Sequence, residues 1–149
     1  MERPFARGWV RLASANPLDK PLINPNYLGV QSDMDRMVTA IKISREIFNT
    51  EPLKSWVKEE LMPGPDVRTD SEIQEFLRNN CDSYHHQAGS CKMGVDAMAV
   101  VDPELKVYGV EGLRVADASV MPFVQSGNCH TGIAMMAEKC SDMIKKEYF

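Results

Sequence analysis

Apolar and polar residues follow one another along this chain in patterns that predict three helices. The longest pattern runs from Asp33 to about Asn49, where apolar residues recur every three or four positions, the spacing that puts them on one helix face. Ser32 and Asp35 have the spacing of a capping box, which predicts the start of this helix. Its predicted core face consists of Met34, Met37, Val38, Ile41 and Phe48.

The other two helical patterns are shorter or lie at the end of the sequence. Thr69 and Glu72 form a second potential capping box after a Pro-Gly-Pro break, and predict a helix from about Asp70 to Asn79. Its apolar face consists of Ile73, Phe76 and Leu77. The last predicted helix runs from about His130 to Lys146. Its apolar face consists of Ile133, Ala137, Cys140 and Ile144.

Strand-like and turn-rich stretches separate these helices. Residues 8–14 read as a short strand, and the proline- and asparagine-rich stretch after them reads as an extended connection. Two further strand-like pieces, Lys106–Tyr108 and Leu113–Ala116, have turn residues between them. The pattern shows no internal repeat and no sign of a second independent domain, which predicts one domain that contains both helices and strands.

Composition and charge exclude several classes of function. The 149 residues suit one ordinary domain, and 44% hydrophobic with 26% charged residues is a globular mixture. The net charge of −4 offers no broad basic field for nucleic acid or an anionic membrane, and no apolar run is long enough for a membrane span. The four cysteines show no C-x-x-C spacing and the first residues show no signal peptide, which together predict a reducing cytoplasm.

The three histidines are the first candidates for chemistry. His85 and His86 are adjacent, and His130 lies 44 positions after His86, counting 130 − 86. A histidine is the natural general base near neutral pH, although a structural role is commoner for any single one. On an extended segment the neighbouring pair would point to opposite faces, so only one would face a given site.

Two other chemistries stay open from the residues alone. The histidines together with Cys91 or Cys129 can be drawn as a metal site, but their spacing matches no zinc motif. Cys129 and His130 can be drawn as a nucleophile and base, but sequence neighbours seldom lie in line for proton transfer. The predicted strand, loop and helix near the end would present a helix N-terminus, which suits an anionic ligand and also occurs in ordinary connections.

A long stretch resembles a known family. Residues 84–128, YHHQAGSCKMGVDAMAVVDPELKVYGVEGLRVADASVMPFVQSGN, and the later MMAEKCSDMI resemble the C-terminal region of the glucose–methanol–choline (GMC) flavoprotein oxidoreductases. The likeness is nearest to the choline dehydrogenase branch. The family pattern is roughly H-P-x-G-T-C-x-M-G, then G-L-R-V-x-D-A-S-x-M-P, then G-N before the last helix. The earlier stretch RGWVRLASANPLDKPLINPNYL resembles the start of the same module, so the likeness covers nearly the whole chain.

The resemblance implies an enzyme that oxidises an alcohol with FAD. In this family a histidine takes the hydroxyl proton while hydride passes to flavin N5, and a second residue before the last helix hydrogen-bonds the substrate oxygen. The catalytic histidine stands five residues before the cysteine, which selects His86, and the G-N pair selects Asn128. His85 and His130 are then expected to line the substrate site. The expected cofactor-binding residues are Asp117, Ala118, Asn128, Cys129 and His130, and no metal site is implied.

The resemblance also implies how the chain is built. The expected fold is α+β, a mostly antiparallel sheet with flanking helices that ends in a strand, loop and helix packed against an FAD-binding domain. Residues 1–110 would form the substrate and active-site part, and residues 111–149 the flavin-facing part. Departures from the pattern are Gln87 for Pro, Ser90 for Thr and His130 for a second Asn, and the last leaves the role of His130 open.

The family's phosphate-binding G-x-G-x-x-G unit does not occur in this sequence. The chain is therefore expected to be a C-terminal portion: a fragment, a truncated reading frame or half of a split enzyme. Its FAD-binding domain would lie upstream or in a separate chain, and its uncovered apolar faces would favour oligomers. The alternative is a remnant without catalysis that binds only a partner chain, or nothing.

Overall fold

The computed structural model describes residues 3–149, which divide into two compact units, Arg3–Asp82 and Ser83–Phe149. The α+β class is confirmed, because the elements include three α-helices and a small antiparallel sheet. No Pro- or Gly-rich linker marks the division after Asp82, so the sequence pattern did not predict it. The functional division expected after residue 110 stays a prediction.

The first unit contains the sheet and two helices. Strand β1, Trp9–Arg11, pairs antiparallel with β2, Leu22–Asn24, in the register Trp9 to Asn24. Helix α1 spans Gln31–Phe48 and helix α2 spans Asp70–Asn80. The second strand lies in the stretch that was predicted to be only an extended connection.

Helix α1 begins differently from the prediction. Its N-cap is Val30, no side chain caps it, and the predicted capping box of Ser32 and Asp35 does not form. The Asp35 carboxylate instead accepts a hydrogen bond from the Gln31 side chain at 2.7 Å. The fully buried Asp33 accepts from the backbone N–H groups of Phe5 and Ala6 at 2.8–3.0 Å, so this carboxylate ties the preceding segment to the helix start.

Helix α2 begins as predicted. Thr69 caps it, with Glu72 Oε2 accepting from the Thr69 backbone N–H at 2.7 Å and Thr69 Oγ1 accepting from the Glu72 N–H at 3.3 Å. Hydrogen bonds from the backbone N–H groups of Thr69 and Arg68, and from the Thr69 side chain, hold the pKa of Glu72 below its usual value. Both helices contribute to one apolar cluster, formed by Met34, Val38, Ile73 and Leu77. Phe48, predicted for this core, is half exposed at the end of α1.

The second unit holds one long helix and a network of irregular segments. A short 3-10 turn covers Ala118–Val120, and helix α3 spans Cys129–Tyr148, within two residues of its predicted ends. The strand-like pieces around Lys106 and Arg114 meet in a single antiparallel bridge, so within residues 83–149 of the described chain they do not form a regular sheet. The unit's core cluster consists of Val101, Leu105, Val120 and Cys140.

Helix α3 buries a different face from the predicted one. Met136 and Met143 pack with Cys140 on the core cluster, whereas Ala137 and Ile144 are exposed. Of the four predicted residues, Cys140 lies in the core cluster and Ile133 is half-buried. No helix in the described part of the chain combines the length and the apolar character that a membrane crossing requires.

Candidate active site

His86 lies in a turn that Ser83 organises. The Ser83 hydroxyl oxygen accepts hydrogen bonds from the Gln87 side-chain amide at 2.7 Å and from the His85 backbone N–H at 3.2 Å. His85 has a φ of 58°, in the left-handed region, so the extended backbone assumed for the histidine pair is wrong. His85 is exposed on the turn, whereas His86 is partly buried.

The segment after this turn is hydrogen-bonded to the loop that carries the predicted cofactor residues. Three alternate backbone N–H groups of residues 89–93 donate to the consecutive carbonyls of residues 118–120, over 2.8–3.4 Å. Because the loop also contains Asp117, this ladder brings two distant parts of the predicted site together.

The decisive contact of the site joins His86 to Asn128. The His86 Nε2 atom lies 3.1 Å from Asn128 Oδ1, although the two residues are 42 positions apart. In the tautomer that suits this arrangement, Nε2–H donates to the amide oxygen and Nδ1 is the free acceptor. If the His86 proton is on Nδ1 and the Asn128 side-chain amide is rotated by 180°, the amide N–H donates to Nε2 instead. The rings of His86 and Tyr84 also form a T-shaped contact, with centroids 5.2 Å apart and an interplanar angle of 87°.

Asn128 stands at the N-terminus of α3, but its side chain makes no capping hydrogen bond there. No acidic side chain lies in the first turn of this helix. The first backbone N–H groups of a helix have no partner within the helix and carry a partial positive charge. The start of α3 therefore offers donors that suit an anionic or carbonyl oxygen.

Asp117 and Ala118 form the start of the short 3-10 turn. The Asp117 carboxylate caps this turn by accepting from the Ser119 backbone N–H at 2.8 Å. Hydrogen bonds from the Ser119 hydroxyl and backbone hold the pKa of Asp117 below its usual value. The Asp117 carboxylate is thus ionised and engaged in the turn.

The remaining predicted residues lie near the start of α3 or on the histidine turn. Cys129 is buried in the first turn of α3, and its neighbour His130 is exposed there. Across residues 3–149, no three or more histidine, cysteine, aspartate or glutamate side chains form a group that could hold a metal ion. The contact between His86 and Asn128 is the one pairing of predicted catalytic residues that the geometry brings together.

Two residues of this region were not anticipated. Tyr84 packs against His86, and Gln125 donates to the Asn128 backbone oxygen at 2.7 Å. The aromatic residue two positions before His86 offered a weak sequence signal. Gln125 offered none, because its contact depends on how the loop folds back on the helix.

Comparison with known proteins identifies the family. The family model described as GMC oxidoreductase matches residues 4–137. The chain belongs to the GMC oxidoreductase family. Among curated GMC relatives, it is 49% identical over 96% of its length to a mitochondrial choline dehydrogenase of Mus musculus, of which it covers 24%. It is 42% identical over 97% of its length to an "alcohol dehydrogenase [acceptor]" of Pseudomonas putida, of which it covers 26%.

Solved structures of GMC-like enzymes share the fold. An FAD-dependent oxidoreductase from Chaetomium thermophilum superposes with a TM-score of 0.88 at 38% identity, over 98% of this chain and 26% of that one. A formate oxidase of Aspergillus oryzae gives a TM-score of 0.87 at 33% identity, over 97% of this chain and 26% of that one. The chain thus spans about a quarter of the length of the relatives it matches.

Proposed function

We propose that this chain is the active-site portion of an FAD-dependent oxidoreductase that converts an alcohol CH–OH group to a carbonyl. His86 is the proton acceptor and Asn128 the hydrogen-bond partner of the substrate oxygen. The contact between His86 Nε2 and Asn128 Oδ1 carries the proposal, because it places a base and a polar amide side by side. Family membership supports the reaction class.

The geometry supports a division of labour between the two side chains. In the tautomer with the proton on Nδ1, His86 Nε2 is an acceptor and the Asn128 amide presents its N–H. An alcohol oxygen that replaced their direct contact would give its proton to Nε2 and accept a hydrogen bond from that N–H. A general base must lie within hydrogen-bond reach of the proton it removes, and a positioned base contributes about 10²- to 10⁴-fold to rate. Tyr84 packs in a T-shaped contact beside the imidazole of His86.

The residues at the start of α3 fit the pyrimidine edge of a flavin. That edge carries carbonyl oxygens, and the helix start offers backbone N–H donors without an acidic side chain in the first turn. Asn128, Cys129 and His130 would hold this edge, and Asp117 and Ala118 would face the rest of FAD. When bound, FAD would accept the hydride of the alcohol. The positive end of α3 would favour negative charge at its N-terminus.

The whole enzyme requires an FAD-binding region beyond this chain. The proposed partner is therefore a region of the same polypeptide or a separate chain that carries the phosphate-binding glycines. A cytoplasmic location, inferred from the free cysteines, is also only proposed. Choline is a reasonable first alcohol to test, because several relatives are named choline dehydrogenases.

Substitution of His86 in the flavoprotein that contains this chain tests the assignment. His86→Ala should lower kcat by about 10²- to 10⁴-fold, because proton removal loses its base. His85→Ala should have a smaller effect, since its imidazole lies on the exposed side of the turn. Circular dichroism melting checks that each variant folds. Equal kcat for His86→Ala and the unsubstituted protein would refute the role of His86.

Titration of FAD into the purified 149-residue chain separates the proposal from the remnant hypothesis. A shifted flavin absorbance spectrum, or protection from thermal unfolding, would show that the proposed cofactor residues retain affinity. If neither appears, and co-expression with an FAD-binding region restores neither flavin nor turnover, the chain is a remnant without catalysis.

A further inference from the structure

The loop before α3 contains a contact that the proposed reaction does not by itself require. The Gln125 Nε2–H group donates to the backbone carbonyl oxygen of Asn128 at 2.7 Å. Because a carbonyl oxygen only accepts, the orientation of the Gln125 amide is set by chemistry, with its oxygen facing the other way. The amide therefore binds the same residue whose side chain contacts His86.

Gly132 provides the space in which the Gln125 amide lies. A Cβ atom at position 132 would stand 2.6 Å from Gln125 Oε1 and 3.2 Å from the terminal methyl of Met121. Both distances are shorter than ordinary contacts, and the nearer atom is the end of a flexible side chain. Glycine within a helix costs about 1 kcal/mol relative to alanine, so its presence here needs a local reason.

We propose that Gln125 is a positioning residue. Its amide, seated against Gly132, fixes the backbone of Asn128 and so keeps the Asn128 side chain against His86. The Asn128 side chain does not cap α3 and is exposed, so the helix cap does not fix its contact with His86. The inference rests on the proposed function of His86 and Asn128, and adds a residue that acts on the reaction through Asn128.

Three variants separate positioning from general stability. Gln125→Ala removes the hydrogen bond, and Gly132→Ala displaces the same amide without removing it. The double variant should have the same His86 shifts and the same kcat as Gln125→Ala alone, because the added methyl group then has no amide to displace. Asp142→Ala, an exposed substitution in the same helix that also raises helix propensity, is the matched control.

The readout is the pair of imidazole nitrogen NMR shifts of His86 in the 149-residue chain, assigned by their loss in His86→Gln. Gln125→Ala and Gly132→Ala should both change these shifts, whereas Asp142→Ala should not. Gly132→Ala should move the melting temperature by no more than about 4 °C, because only a flexible side chain must shift. In the flavoprotein, each single variant should lower kcat by about 3- to 10-fold, the effect of one neutral hydrogen bond.

The outcomes distinguish failure of this inference from failure of the proposed function. Unchanged His86 shifts in both single variants would overturn the positioning role, whatever happens to turnover. Changed shifts with turnover that is insensitive to His86→Ala would keep the positioning role and refute the proposed reaction role. If the double variant has a clearly lower kcat than Gln125→Ala, Gly132 acts on the site by a route other than the Gln125 amide. That result would overturn the proposed coupling between Gly132 and Gln125.

Discussion

Asn128 occupies a position where stability and chemistry compete for one side chain. An asparagine at a helix N-cap usually accepts a hydrogen bond from the first turn, which contributes about 1 kcal/mol. Here that side chain contacts His86 instead, and the cap is left without a side-chain hydrogen bond. A residue that gives up a stabilising contact in favour of a polar neighbour is typical of a functional site.

The backbone just before Asn128 provides the first stability test. Gly127 has a φ of 101°, a conformation that side chains with a Cβ rarely adopt, and an added Cβ would meet nothing within 4 Å. Gly127→Ala should therefore lower the free energy of unfolding by about 1–2 kcal/mol through backbone strain alone. Urea unfolding followed by circular dichroism measures this loss. Gly127→Asn should lose less free energy of unfolding, because asparagine tolerates positive φ better than alanine. If Gly127→Ala were as stable as the unsubstituted chain, the strain argument would be refuted.

Helix caps show what local sequence does and does not determine. The capping box at Thr69 could be predicted because both of its hydrogen bonds lie within four residues. The apparent box at Ser32 does not form because the helix begins earlier, at Gln31, so Ser32 lies inside the first turn instead of at the N-cap. In that turn, Asp33 is bound by Phe5 and Ala6, far away in sequence. Local spacing therefore predicts a cap well only where no distant segment binds the same turn.

The Thr69 cap can be tested with a neighbour as control. Thr69→Ala should lower the free energy of unfolding by about 1 kcal/mol, because the Glu72 N–H loses its acceptor. Tryptophan fluorescence suits this measurement, since both Trp9 and Trp56 lie in the first unit. Ser71→Ala, an exposed change in the same first turn, should have little effect. A similar loss in both variants would show that the box is not what stabilises α2.

For the whole chain, predictability differs between the two units. The first core lies on two helices, and all four of its residues follow from apolar spacing. In the second core, Val101, Leu105 and Val120 lie on irregular segments, where no repeating apolar spacing predicts that they are buried. The site in this unit could be predicted only through the long family motif, which selected His86 and Asn128. The contact of Gln125 follows from loop geometry that no spacing rule describes.

The second unit also joins its irregular segments to α3 by charge. Glu147, near the C-terminus of α3, lies 2.5 Å from Arg114 Nη2 and 3.1 Å from Lys106 Nζ. A carboxylate at a helix C-terminus is unfavourable by itself, because that end carries a partial negative charge. Two cations from the bridged segments offset this repulsion.

This ion cluster makes the stability of the unit depend on pH in a defined window. Arg114 and, second, Lys106 lower the pKa of Glu147 from 4.5 to about 2 in the folded chain. Its stabilising contribution is therefore complete above about pH 4.5 and is lost as the pH falls toward 2, because protons then bind the unfolded chain more readily.

Glu147→Gln should be less stable than the unsubstituted chain at pH 6, and the difference should shrink by pH 3. Melting curves at both pH values measure it, with Glu138→Gln as an exposed control in the same helix. A gap between the Glu147→Gln and unsubstituted chains that is the same at both pH values would mean that the cluster contributes nothing through the charge of Glu147.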